Sequence, residues 1–251
     1  MNTLDAVAFQ IYPYIALAVF FLGSWVRFDR DPYCWRSGSS QLLSGKWMRL
    51  GSNLFHIGII VVLLGHLVGL LTPHVLYERF LLAGQKQFLA MFIGGICGVI
   101  CLVGLALVLA RRLVNPRIRA TSSGRDILVL VLLLAQLLLG LGSIFVSAGH
   151  MDGVQMLKLA NWAQAIVTFT PGAAGYLDGA HWIYKAHIFL GMTLFLIFPF
   201  TRLVHIWSIP LGYLRRPYQV VRKRQAPVKY AAPSATAGDR KSTSMPPAPG
   251  N

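Results

Sequence analysis

Four histidines set into two long apolar runs are the residues best placed to do chemistry in this chain. His56 and His66 lie in Ser52–Leu71, a run with no charged residue, and His187 and His205 lie in Trp182–Trp207. An imidazole at membrane depth is costly and is kept where it has a partner or a task. Nitrogen ligands of this kind suit a transition metal or a haem iron. Four on two runs read as two pairs, each able to hold one iron from both faces.

The elements that must position them follow from composition. Of 251 residues, 55% are apolar and 12% charged, which points to a polytopic helical membrane protein rather than a soluble domain. Five runs are about 20 residues or longer and can span the hydrocarbon core: 7–26, 52–71, 88–110, 127–146 and 182–207. Backbone groups in lipid must be satisfied internally, so each run is expected to be a helix, giving an all-α bundle of four or five helices around two haems. The strand alternation of a membrane barrel is missing. No basic residue precedes the first run and no small-residue cleavage site follows it, so it is expected to stay as a helix.

The net charge of +15 is distributed as membrane topology, not as a nucleic-acid surface. Arg27, Arg30, Arg36, Lys46 and Arg49 follow the first run, and Arg111, Arg112, Arg117, Arg119 and Arg125 follow the third. Eight more basic residues follow His205, whereas 73–87 holds only Arg79 and Lys86, and 148–181 only Lys158. Positive segments stay in the cytoplasm, which places the C-terminus inside and the N-terminus outside.

Chain direction then dictates the pairing. The second helix runs inside to outside and the fifth the opposite way, so His66 is level with His187 near the outer face, and His56 with His205 near the inner. Eighteen residues make five turns, which puts His187 and His205 on one face of a continuous helix, while His56 and His66 stand about 80° apart at roughly 100° per residue. Ten residues rise about 15 Å and eighteen about 27 Å, so the irons are expected about 20 Å apart, with tilt and a bend at Pro199 absorbing the difference. A zinc or copper site is disfavoured, because each level has two histidines and no Cys, Asp or Glu nearby in sequence. A proton-relay transporter would want carboxylates inside the spans. Simple hydrogen bonding between helices, in a haem-free membrane anchor, is the alternative to haem.

The remaining features are read more plainly. Cys34, Cys97 and Cys101 are small packing residues, and no C-x-x-C-H supports covalent haem attachment. His74, His150 and His181 are taken as interfacial. Gly65-x-x-x-Gly69 and Gly94-x-x-x-Gly98 allow close approach of helices, the favoured reading, or of a flat cofactor. Pro13 is expected near the start of the first helix, and the fourth helix, with Gln136, reads as scaffold. Arg111 and Arg112 are placed to serve the propionates of the inner haem, and positive-inside anchoring explains them equally. Residues 1–224 are expected to form the membrane domain and 225–251, rich in Pro, Ala and Ser, a disordered cytoplasmic tail.

Assembled, these residues resemble the gamma subunit of membrane-bound respiratory nitrate reductase, a b-type cytochrome. The likeness runs from about Phe9 to Arg224 through Ile11-Tyr-Pro-Tyr, Ser52-Asn-Leu-Phe-His-Ile-Gly, Gly65-His, Leu71-Thr-Pro-His, His150-Met-Asp-Gly, Gly191-Met-Thr-Leu-Phe and Pro199-Phe-Thr-Arg-Leu-Val-His-Ile-Trp. The resemblance implies two haem b, His66 and His187 on the outer iron and His56 and His205 on the inner. It implies a quinol (menaquinol or ubiquinol) site beside the outer haem with Gly65, His66 and Lys86; a lysine snorkelling to the interface is the other reading of Lys86. It also implies an iron–sulfur beta and a molybdenum-containing alpha partner on the cytoplasmic side. Moving an electron inward costs about 2.3 kcal/mol per 100 mV for a full crossing, so the inner haem is expected to have the higher potential. A related cytochrome serving a hydrogenase, a formate dehydrogenase or a sulfur-compound reductase would share the same features.

Overall fold

A computed structural model describes residues 3–31, 33, 35 and 47–208. Most of the connection between the first two spans, including Cys34, Arg36 and Lys46, and the whole C-terminal basic stretch and tail, lie outside the described residues. Among the described residues the secondary structure is helical, and five helices are long and apolar enough to cross a membrane: α1 (Thr3–Arg30), α2 (Met48–Leu71), α3 (Ala83–Val114), α4 (Gly124–Ala148) and α5 (Trp182–Ile197), the last extended by a 3-10 turn to Phe200. α1, α3 and α4 each run at least two residues beyond the matching apolar run at both ends, and α2 starts four residues before its run and ends with it at Leu71, because polar flanks continue the helix into the interface.

Pro13 stands at the start of the regular α-helix Tyr12–Arg30, but not at the start of the span. α1 begins at Thr3, and a π-helical turn at Val7–Ile11 lies just ahead of the proline. Proline has no N–H, so the carbonyl of Phe9, four residues earlier, loses its α-helical donor. Trp162 supplies the replacement: its indole N–H donates to the Phe9 carbonyl at 2.9 Å. That bond docks the helix Val154–Val167 against α1, and Phe9, Trp162, Ile166, Ala173 and Leu177 close over it as a buried apolar cluster. The same short helix caps α2, Gln164 donating to the carbonyls of Leu70 and Thr72 at 2.9 and 3.3 Å.

α2 and α3 form the tightest pair, and glycine is the reason. A Cβ on Gly58 would lie 2.7 Å from Cys101, one on Gly51 would lie 3.0 Å from Leu107, and one on Gly104 would meet the backbone of Gly51, Leu54 and Phe55. The expected G-x-x-x-G seams are mostly not the contact: Gly65 and Gly94 face open space, and only Gly98 is closely met, by Leu141 of α4. α5 packs on α1 and α4. Tyr12 bonds Thr193 at 2.8 Å and Lys185 bonds Asp5 at 2.9 Å across the α1–α5 seam.

The fifth apolar run is not one helix. α5 stops at Ile197, Pro199 sits in a 3-10 turn, Thr201 is extended, and Arg202–Ser208 is a second 3-10 segment. Gly23 of α1 leaves room for the Pro199 ring, and Arg27 of α1 donates to the freed carbonyls of Pro199 and Thr201 at 2.6 and 2.8 Å. His205 therefore does not share a continuous helical face with His187.

Candidate dihaem site

The four histidines meet in the two pairs that chain direction dictates. The ring centres of His66 and His187 are 6.0 Å apart, with planes inclined by 34°. Those of His56 and His205 are 6.4 Å apart, inclined by 70°. A metal between two imidazoles, about 2 Å from each nitrogen, puts the ring centres roughly 6 Å apart. The unequal sequence separations, ten residues on α2 and eighteen on the other strand of the site, are reconciled by the break after Ile197, beyond which the chain turns before reaching His205.

Nitrogen chemistry tests the fit further. His56 Nδ1 lies 2.7 Å from the Ser52 carbonyl, His66 Nδ1 2.8 Å from the Val62 carbonyl and His205 Nδ1 2.6 Å from the Arg202 carbonyl. A carbonyl only accepts, so each Nδ1 must carry the proton, and each Nε2 keeps its lone pair for a metal. His187 differs. Its Nε2 lies 3.3 Å from the Gln136 side-chain amide, which also donates to the His187 carbonyl at 3.1 Å. His187 Nδ1 and Gln136 Oε1 are both buried without a hydrogen-bond partner. Gly140 makes room for that ring, since a Cβ there would lie 3.0 Å from His187 Cε1.

The surroundings suit a flat cofactor. α2 leans on α3, and α5 leans on α1 and α4, so the helices that carry His56, His66 and His187 have their main packing elsewhere. Little of α2's apolar stretch is buried by protein, and His56 and His66 are exposed along it. These residues fit haem b between the pairs.

Charge gathers at the His205 end. Arg112, 8% exposed, approaches Asp126 at 3.5 Å, and Asp126 is also held by Arg202 at 2.6 Å. Arg112 thus joins a cluster with Asp126 and Arg202, three residues before His205. At the other end stands Lys86, near the start of α3. Its ammonium is buried without a hydrogen-bond acceptor, 3.6 Å over the centre of the Tyr77 ring. Gly65 lies one residue from His66, with nothing within 4 Å of where a Cβ would stand.

Several contributors were not visible in the sequence. Gln136 and Asp126 come from α4, which reads as scaffold, and Gln87 of α3 donates to the Ser147 and His150 carbonyls at the end of α4 at 3.0 and 2.7 Å. The spare histidines hold chain ends: His181 accepts from the first turn of α5, His74 pairs with Glu78 at 2.7 Å, and the carbonyl of His150 receives Gln87.

Residues 5–224 match the family model described as nitrate reductase gamma subunit. The chain belongs to that family. It is 56% identical to the respiratory nitrate reductase 1 gamma chain of Escherichia coli (strain K12) over 224 residues, 89% of this chain and all of that relative. It is 53% identical to the respiratory nitrate reductase 2 gamma chain of the same organism, covering 88% of this chain and 98% of the relative. The nitrate reductase gamma chain of Bacillus subtilis (strain 168) is 38% identical, with 87% and 98% covered. A gamma subunit of this family with five spanning helices is a multi-pass inner-membrane component of an oxidoreductase complex.

Proposed function

We propose that this chain is the dihaem cytochrome b of a respiratory nitrate reductase, oxidising quinol on the periplasmic side and delivering electrons to an iron–sulfur beta subunit, and thence to a molybdenum-containing alpha subunit, on the cytoplasmic side. Positive residues after α1 and α3 support that orientation. The membrane domain is residues 1–224, with 225–251 a cytoplasmic tail.

The observation that carries the reading is the pair of ring separations, 6.0 and 6.4 Å, at two levels of one bundle. Held by two imidazoles, a b haem would supply one-electron transfer. His66 and His187 hold the outer group, and His56 and His205 the inner. The carbonyls of Ser52, Val62 and Arg202 fix the ring tautomers and so the direction of each Nε2. Arg112, buried beside Asp126, brings positive charge to the inner site, where propionates need it. Beside the outer pair, Lys86 Nζ is a donor with no acceptor, suited to bind a quinol oxygen. The open space at Gly65 lets the quinol ring approach.

Haem content decides the matter. The purified subunit should carry two non-covalent haem groups per chain and give a b-type absorption band on reduction. A colourless protein would leave only the membrane anchor. Lys86→Ala is expected to keep both haems and weaken quinol turnover by about tenfold or more, the loss of one charged hydrogen bond being worth roughly 1.5–3 kcal/mol. Steady-state assay with a quinol analogue reads this directly, and an unchanged rate would remove Lys86 from the quinol site.

A further inference from the structure

His205 stands on chain that no continuous helix supports. Arg202–Ser208 is a 3-10 segment following the extended Thr201, and seven residues is long for that form, whose hydrogen bonds are of poorer geometry. Something else must fix the ring. Its Nδ1 donates to the carbonyl of Arg202 at 2.6 Å. The side chain of the same Arg202 is gripped from α4: Nε donates to Asp126 Oδ1 at 2.7 Å and Nη2 lies 2.6 Å from Asp126 Oδ2. A two-point fork between guanidinium and carboxylate fixes direction as well as distance.

Asp126 is itself immobilised. Ser123 N–H donates to Asp126 Oδ2 at 3.0 Å, and the Asp126 N–H donates to Ser123 Oγ at 3.3 Å, the reciprocal cap that opens α4. The Asp126 side chain is 13% exposed, and Arg112 closes it from α3. A short rigid path thus leads from the first turn of α4 through Asp126 and Arg202 to the His205 ring.

We propose that Asp126 is the positioning residue for His205, fixing through Arg202 the angle at which this imidazole meets the inner iron. The proposal rests on the dihaem reading above. Its test uses the full chain in membranes with its partner subunits, as D126N, D126A and D126E. Low-spin ferric haem signals are read by electron paramagnetic resonance, and both haems are followed by redox titration. His56→Ala and His66→Ala assign the inner and outer signals.

In D126A the inner signal should be lost or shifted together with its midpoint potential, the outer one being unchanged. D126N keeps one acceptor oxygen and should shift the inner signal less, and D126E should return it towards the original. If D126A fails to accumulate, the near-isosteric D126N decides. Wild-type signals and potentials in both D126A and D126N, with His56→Ala still removing one haem, would overturn the positioning role and leave the haem reading standing. Equal disturbance of both signals, as a general packing fault gives, would overturn it too. Retention of two haems by His56→Ala would instead defeat the haem reading itself.

Discussion

Replacing His66 by alanine is expected to remove the outer haem and abolish quinol oxidation, while the inner haem stays. The expectation follows from how separately the two pairs are held. His66 is fixed by the Val62 carbonyl on α2 and faces His187, whose ring lies against Gln136 and Gly140 of α4. His56 and His205 are fixed by Ser52 and Arg202, and the break after Ile197 separates their support from that of His187. With one imidazole gone, only His187 would remain to hold the outer group, so that group should not be retained and the one-electron transfer it would supply is lost. His66 is also exposed along α2, so its loss leaves little cavity and the helix itself should persist. Spectra should therefore show half the b-type absorbance of the parent, with quinol-driven reduction lost and chemical reduction of the remaining haem kept. Two haems per chain in this variant would contradict the assignment.

Gly104→Ala is expected to damage the fold more than any other single methyl added to α2 or α3. The new Cβ would meet the Phe55 amide nitrogen, the Gly51 carbonyl oxygen and the Leu54 carbonyl carbon, all backbone atoms of α2. A flexible side chain could swing away; a helix backbone has to shift as a unit. Overpacking of this kind costs about 1–3 kcal/mol, and more where the neighbour cannot give. Each kcal/mol lowers the melting temperature by roughly 2–4 °C in a chain of this size. Since Phe55 precedes His56, the inner haem should loosen first. Gly65→Ala is the matched control on the same helix pair. Nothing stands within 4 Å of its Cβ position, so thermal stability in detergent should be unchanged. Equal melting of the parent and Gly104→Ala would mean that α2 and α3 do not touch as closely as described.

The spans and both histidine pairs were legible in the sequence because they follow from strong, local signals: uninterrupted apolar length, and chain direction on two antiparallel helices. What was not legible depends on who meets whom. Pro13 looks like a helix start until Trp162, almost 150 residues later, is seen to replace its missing donor at Phe9. Spacing suggested Gly65 and Gly94 as packing positions, yet the seam runs through Gly51, Gly58 and Gly104, because the rotation of a helix about its axis is set by its partner. Pro199 announced a bend, but not that α5 ends there and that Arg27 and Asp126 take over the support of the following turn. A lone Gln or Asp on an apolar helix carries no sign of its partner in its own neighbourhood, which is why α4 read as scaffold.

On the proposed dihaem reading each centre would take one histidine from α2 and one from the region at or beyond α5, and α1 clasps that late region through Arg27 and Gly23. A nascent polypeptide emerging from the ribosome with three or four helices inserted therefore has only half of either iron seat. Porphyrin loading would await the fifth insertion and its closure against the first. Maturation of this subunit would then be completed only with the last membrane segment in place, the earliest and latest segments acting together as the latch.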